Sequence, residues 1–245
     1  MILRHSAVAM SLLAIFAMSA CSRLPGKPAP GPEVPRPDSV LDPVVLFNQN
    51  CTGCHGADGK NGPALMLSNP VYLAIVDDDA LRSTISKGRP GTAMSAFAQK
   101  EGGMLTDEQI TSIIRGIRER WRKPNALGGD VAPPYAAKLP GDALQGQAVY
   151  ERYCSSCHGA GGGGGPKAGS IVDKAYLSLV TDQGLRTIVI TGRPDFNAPD
   201  WRNNVAGHPM SDQEITDVVA WLASQRTNRA SNSSVSASSS PGGAH

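Results

Sequence analysis

The pentapeptide Cys-x-x-Cys-His occurs twice in this chain, as Cys51, Cys54 and His55 and again as Cys154, Cys157 and His158. No other feature narrows the folding possibilities so far, because each copy opens a long stretch of self-similar sequence. CTGCHGADGKNGP at 51–63 matches CSSCHGAGGGGGP at 154–166 without a gap. YLAIVDDDALRSTISKGRP at 72–90 matches YLSLVTDQGLRTIVITGRP at 176–194 after one inserted residue. LTDEQITSIIRGI at 105–117 then matches MSDQEITDVVAWL at 210–222 after one more. Such a repeat means one supersecondary unit built twice. Two domains follow, 41–123 and 141–226, joined by a linker at 124–140. Each has fewer than about 90 residues, so a bare core would be marginal and a covalent staple or cofactor is expected. Aromatic residues make up only 5% of the chain, which also suggests that something besides side chains fills each core.

Cys-x-x-C-His spacing is the attachment pattern of c-type haem. Two thiols three residues apart on one turn reach the two vinyl groups on one side of a porphyrin. The histidine that follows then faces the iron. A zinc ribbon would place its two Cys-x-x-Cys pairs about 15–20 residues apart, and a thioredoxin-like pair needs a βαβ setting; neither is present. Cys51, Cys54, Cys154 and Cys157 are therefore the expected attachment thiols of two haem c groups, with His55 and His158 on the irons.

The hydrophobic pattern is helical throughout. Phe47 and Tyr150 each lie four residues before the first cysteine, on one face of a helix leading into the motif. A second helix is predicted around 79–87 and 182–191. The last helix of each copy starts with a capping box, Thr106 with Gln109 and Ser211 with Glu214. Its apolar residues, Ile110, Ile113, Ile114, Ile117 and Ile215, Val218, Val219, Leu222, follow i, i+3, i+4, i+7 spacing. The expected fold class is all-α.

On these residues both modules resemble class I cytochrome c domains in tandem, and the whole mature chain resembles bacterial dihaem cytochromes c of electron-transport chains. That resemblance implies a first helix crossing the last, with Phe47 near Ile114 and Tyr150 near Val219. It implies a glycine four residues before the aromatic, where Gly146 fits and Pro43 does not, suggesting a looser crossing in the first module. It also implies that the Pro63 and Pro166 carbonyls orient the two histidines, a hydrogen bond that fixes the ring and its basicity. A methionine from the loop before the last helix completes the iron in that family, a ligation that raises the potential and suits electron transfer. Met94 holds this place, with Ser95 for the usual proline and Phe97 retained; Met66 and Met104 compete less well. In the second copy the aligned residue is Ala198. Met210, His208 and an open or water-bound iron remain as alternatives there. Met210 aligns with Leu105 and precedes the cap Ser211, where a hydrophobic staple on Ile215 is expected. Arg89 and Arg193, each between a glycine and a proline, are candidates for pairing with haem propionates or for plain surface turns.

The chain starts with a basic residue, an apolar run and small residues before Cys21, a secretory signal over 1–20. Met18-Ser19-Ala20-Cys21 resembles a bacterial lipobox, which implies cleavage before Cys21 and acylation of it. This accounts for the odd fifth cysteine, and multiple acyl chains give stable anchoring to a membrane. By that family's sorting rule Ser22 leans towards the outer membrane. Residues 21–40 form a proline-rich tether, and 227–245 a Ser/Asn-rich tail expected to be disordered. Removing residues 1–20 takes away Arg4 and no acid, leaving a formal charge of +1 and no electrostatic case for nucleic acid.

The function expected is single-electron transfer between redox proteins of a respiratory chain, on the periplasmic side of a membrane. No catalytic acid, base or nucleophile is expected. A peroxidase-like or sulfur-oxidising enzyme with catalysis at the second haem is the rival. A fixed subunit of a quinol-oxidising or terminal-oxidase complex is the third reading.

Overall fold

A computed structural model describes residue 31 and residues 34–235. The expected signal, Cys21, Ser22 and the last part of the tail lie outside the described residues. The described chain is helical with no strands, as the periodicity predicts, apart from two isolated bridges, Ala98 to Leu105 and Arg193 to Ala198. Of two compact units, the first ends at Ser39 and contributes the short 3-10 turn Pro37–Ser39. The second runs from Val40 and carries both modules.

The first module comprises α1 (Pro43–Asn50), α2 (Thr52–His55), α3 (Pro70–Ile75), α4 (Asp78–Lys87) and α5 (Asp107–Trp121). The second repeats it as α6 (Ala143–Tyr153), α7 (Ser155–His158), α8 (Lys174–Leu179), α9 (Asp182–Thr191) and α10 (Asp212–Val235). Helix α10 passes the expected boundary at Arg226, because no Gly or Pro interrupts 212–235. Side chains fix the starts. Asp42 Oδ1 accepts from Val44 N and Val45 N at 2.8 and 3.1 Å, and Asp142 Oδ1 from Leu144 N and Gln145 N at 2.8 and 3.3 Å. Both capping boxes close: Thr106 N and Gln109 N exchange bonds with the partner side chain at 3.0 and 3.1 Å. Ser211 N and Glu214 N do so at 2.8 and 3.2 Å. Each cap satisfies amides that no earlier turn can bond, typically for about 1 kcal/mol.

The apolar stripe of each last helix is the centre of its module's core. Ile110, Ile113, Ile114 and Ile117 are buried, as are Ile215, Val218, Val219 and Leu222. Phe47 shares the first core with Ile114 and sets its ring edge-on to Trp121, with centroids 5.1 Å apart. Tyr150 shares the second core with Val219 and stacks on Trp221 at 4.4 Å.

The two crossings find their clearance from opposite sides. In the second module a Cβ on Gly146 would stand 2.0 Å from Asp217 O and 2.8 Å from Trp221 Cβ. In the first, Pro43 replaces that glycine, and the glycine lies on the facing helix: a Cβ on Gly116 would stand 2.4 Å from Pro43 Cβ. Gly116 and Trp221 are aligned in the repeat. Large and small have exchanged helices between copies.

The modules pack as parts of the same unit. Val71 of α3 is buried in the second module's core, and Tyr135 of the linker packs against the first. Asn69, 1% exposed, caps α3 by accepting from Val71 N at 2.9 Å and donates Nδ2 to Thr191 O at 2.9 Å. Arg186, 2% exposed, donates to Pro134 O at 2.8 Å and pairs with Asp212. Arg193 Nη2 donates to Gly62 O at 3.0 Å, and Asp195 Oδ2 accepts from Asn61 N at 3.0 Å.

Two outcomes follow. Gly146→Ala should destabilise the protein by about 1–3 kcal/mol, the usual cost of overpacking, whereas Gly163→Ala should be near neutral, since nothing lies within 4 Å of a Cβ there; urea unfolding of both measures the contrast. The bond from Arg193 holds the Asp195 carboxyl below the usual carboxylate range, burial opposes this and the Asn61 amide adds to it. A depressed carboxylate stabilises the fold above its unfolded pKa and loses that contribution as pH falls through the folded value. Asp195→Asn should therefore be less stable than wild type at neutral pH by about 1.5–3 kcal/mol, with the gap closing below about pH 4. A gap independent of pH would contradict this assignment.

Candidate haem-binding site

Each Cys-x-x-Cys-His turn begins where the first helix of its module ends. Cys51 N donates to Phe47 O at 2.8 Å, and Cys154 N to Tyr150 O at 2.8 Å. The ring that anchors the helix to the core thus also places the first thiol. The next turn, α2 or α7, carries the second cysteine and the histidine. It closes on Gly56 or Gly159, at φ +80° and +76°. A Cβ on Gly56 would stand 1.9 Å from Lys60 O, so the reversal admits no side chain.

The four described cysteines are all free thiols. Burial, with the neighbouring Cys54 or Cys157 adding, pushes the Cys51 and Cys154 thiols up to about 12. A dithiol redox catalyst shifts its cysteine in the opposite direction. Among the described residues no group of three or more His, Cys, Asp or Glu could hold a bare metal ion. Paired free thiols directly before a histidine fit the covalent attachment of haem.

The histidines are oriented by backbone. His55 Nδ1 lies 2.7 Å from Leu65 O, and His158 Nδ1 lies 2.9 Å from Gly169 O. As donors at Nδ1 they leave Nε2 free for iron. The partners are not the expected Pro63 and Pro166 carbonyls. Gly62 is wedged beneath the turn, where a Cβ would stand 2.2 Å from Cys54 O, and Ala64 N then donates to Cys54 O at 3.0 Å. This closure brings the following carbonyl, that of Leu65, to the ring. In the second copy, with its inserted residue, Gly169 fills the role. Burial lowers the basicity of His55; the Leu65 carbonyl opposes this, and the nearby Arg193 charge adds to the lowering.

Met94 and Ala198 occupy equivalent backbone positions. Arg89 N donates to Met94 O at 2.8 Å, and Arg193 N to Ala198 O at 3.0 Å. Met94 is half-buried on its loop, whereas the competitor Met104 is 75% exposed. Met210 occupies the seat of Leu105. Leu105 N donates to Phe97 O at 2.7 Å and Met210 N to Trp201 O at 2.9 Å, and both side chains are buried. Met210 and Ile215 share the core, as a hydrophobic staple requires. His208 is exposed. Neither arginine is a plain surface turn: Arg89 Nη2 donates to Thr84 Oγ1 and the Tyr135 hydroxyl, and Arg193 binds Gly62 and Asp195. Asp195 is the residue that reading by motif passed over. Its signal was a carboxylate where the aligned loop of the first copy has Gly91.

A family model described as "Cytochrome C oxidase, cbb3-type, subunit III" matches residues 38–115 and 141–222, one segment on each module. The chain is 30% identical over 124 residues to the Cbb3-type cytochrome c oxidase subunit CcoP of Azospirillum sp. (strain B510), covering 46% of this chain and 37% of that protein. It is 25% identical over 169 residues to subunit FixP of Bradyrhizobium diazoefficiens, covering 66% of this chain and 54% of that protein. It is 23% identical over 221 residues to the cytochrome bc1 complex cytochrome c subunit of Mycobacterium bovis, covering 86% and 74%. The matches thus span 37% and 54% of the first two relatives' own lengths. With two helical modules, two attachment turns and a family match over both, the chain belongs to the cytochrome c oxidase, cbb3-type, subunit III family and is built from a tandem pair of cytochrome c domains.

Proposed function

We propose that the protein carries two haem c groups and transfers single electrons between partners of a respiratory chain. The observation that carries this reading is the pair of matched turns, each with free thiols and a histidine held at Nδ1 by a backbone carbonyl. Each haem, once bound, supplies a one-electron iron couple. The chain's part is to hold that group still and keep it from reacting. Cys51 with Cys54, and Cys154 with Cys157, serve as the covalent attachments. His55 and His158 are fixed in ring orientation by Leu65 O and Gly169 O, which limits rearrangement between oxidation states. The relatives named for cbb3 oxidase and bc1 complexes support a respiratory setting.

In this reading Met94 completes the first iron. The second lacks a methionine at the matching place, and Met210 is a core residue. Without a thioether ligand the second haem has the lower potential. The rival enzymatic reading draws on the same residue, Ala198, because an iron without a protein sixth ligand is open to small molecules. Cys21 serves as the lipid-bearing residue and 21–40 as the tether, which puts the modules on the periplasmic side of a membrane, with the outer membrane favoured by Ser22. Among the described residues no helix is long and apolar enough to cross a membrane. Whether the chain moves freely or sits in a quinol-oxidising or terminal-oxidase complex is a matter of partners.

The near-infrared methionine-to-iron band of the oxidised protein tests the ligand assignment. Met94→Ala should abolish it. Met210→Ala should keep it while lowering stability by about 2–5 kcal/mol, the usual cost of emptying a core methionine. Loss of the band in Met210→Ala, or its survival in Met94→Ala, would overturn the assignment. Rapid peroxide turnover by the wild type would favour the enzyme.

A further inference from the structure

Arg193 belongs to the second module yet spends part of its guanidinium on the first. Nη2 donates to Gly62 O at 3.0 Å, while Nε and Nη2 hold the two Asp195 oxygens at 2.9 and 2.8 Å. Asp195 Oδ2 also accepts from Asn61 N at 3.0 Å. Gly62 is the residue pressed against Cys54 O under the attachment turn, and the same loop delivers Leu65 O to His55. The pair therefore bears on the backbone that shapes the histidine side of the first haem site.

The aligned loop makes different contacts among the described residues. Arg89 turns to Thr84 and Tyr135, and Gly91 stands where Asp195 would be. The Arg193 and Asp195 side chains are 12% and 1% exposed, so water screens their charges poorly. While both are present their fields largely cancel. Removing either one leaves the other uncompensated beside the loop.

We propose that the Arg193–Asp195 pair is a positioning and charge-setting contact through which the second module tunes the haem of the first; this rests on the haem reading above. Oxidised and reduced irons differ by one charge, so a bare Asp195 favours the oxidised state and a bare Arg193 the reduced state.

The test is a spectroelectrochemical titration of the intact holoprotein and its variants, with Met94→Ala used to assign the first module's component. Arg193→Gln should raise the oxidised-to-reduced ratio of that component about tenfold at fixed potential, equivalent to about 59 mV for a one-electron couple. Asp195→Asn should shift it in the opposite direction. Arg193→Lys keeps the charge and should stay near wild type. Lys100→Gln, at a pair on the surface, should leave it unmoved. Shifts of the same sign in Arg193→Gln and Asp195→Asn would mean general loosening and would overturn the proposal, as would shifts confined to the second component or no shift at all. Should Arg193→Gln fail to fold, Asp195→Asn and Arg193→Lys still decide. Purified protein without covalent haem would instead overturn the functional reading itself.

Discussion

The crossing of the first and last helices in each module is the contact on which the rest depends. It buries Phe47 or Tyr150, and the carbonyl of that same residue accepts the amide of the first attachment cysteine. The thiols and the histidine therefore inherit their positions from a helix–helix contact rather than from a flexible loop. Such close contact needs a small residue on one helix or the other, and the two copies place it differently. Gly146 faces Trp221, whereas Pro43 faces Gly116. Replacing either glycine with a larger residue would push the whole attachment turn off the core.

A second constraint joins the modules. Asn69, Val71 and Tyr135 tie one core to the other, so the pair cannot move as beads on a string. For electron transfer this has a direct value: a fixed separation gives a fixed rate between sites, where a loose linker would give a spread. In the proposed reading, the asymmetry at Met94 and Ala198 adds direction, since two irons with different ligation would differ in potential. The cross-module contact of Arg193 gives the second copy a hold on the first.

Much of this was legible in the sequence. The helix leading into each motif, the helix before the last, the two capping boxes and the buried faces of α5 and α10 follow from periodicity and capping chemistry, both of which act over a few residues; the short α3 and α8 show no such pattern. The attachment turns follow from residue type and spacing. What stayed hidden depended on backbone paths and on contacts between the copies. Pro63 and Pro166 were the expected carbonyls, but loop closure at Gly62 and Ala64 hands the role to Leu65, and Gly169 serves in the second copy. No side-chain pattern reports where a carbonyl points. The exchange of Gly and bulk between Pro43/Gly116 and Gly146/Trp221 was also missed, because it shows only when two distant helices are read together. Asn69 and Arg193 bond to carbonyls of the other module, and such contacts leave no motif. The alignment of Met210 with Leu105, in contrast, carried straight through to the packing.

The intact mass of the protein, extracted from membranes of cells that mature c-type cytochromes, is the most direct test of the account. It should show two covalent haems per chain, located by digestion at Cys51/Cys54 and Cys154/Cys157, and acyl chains on Cys21 as the first residue. A single haem, or none, in well-folded protein would contradict the central claim.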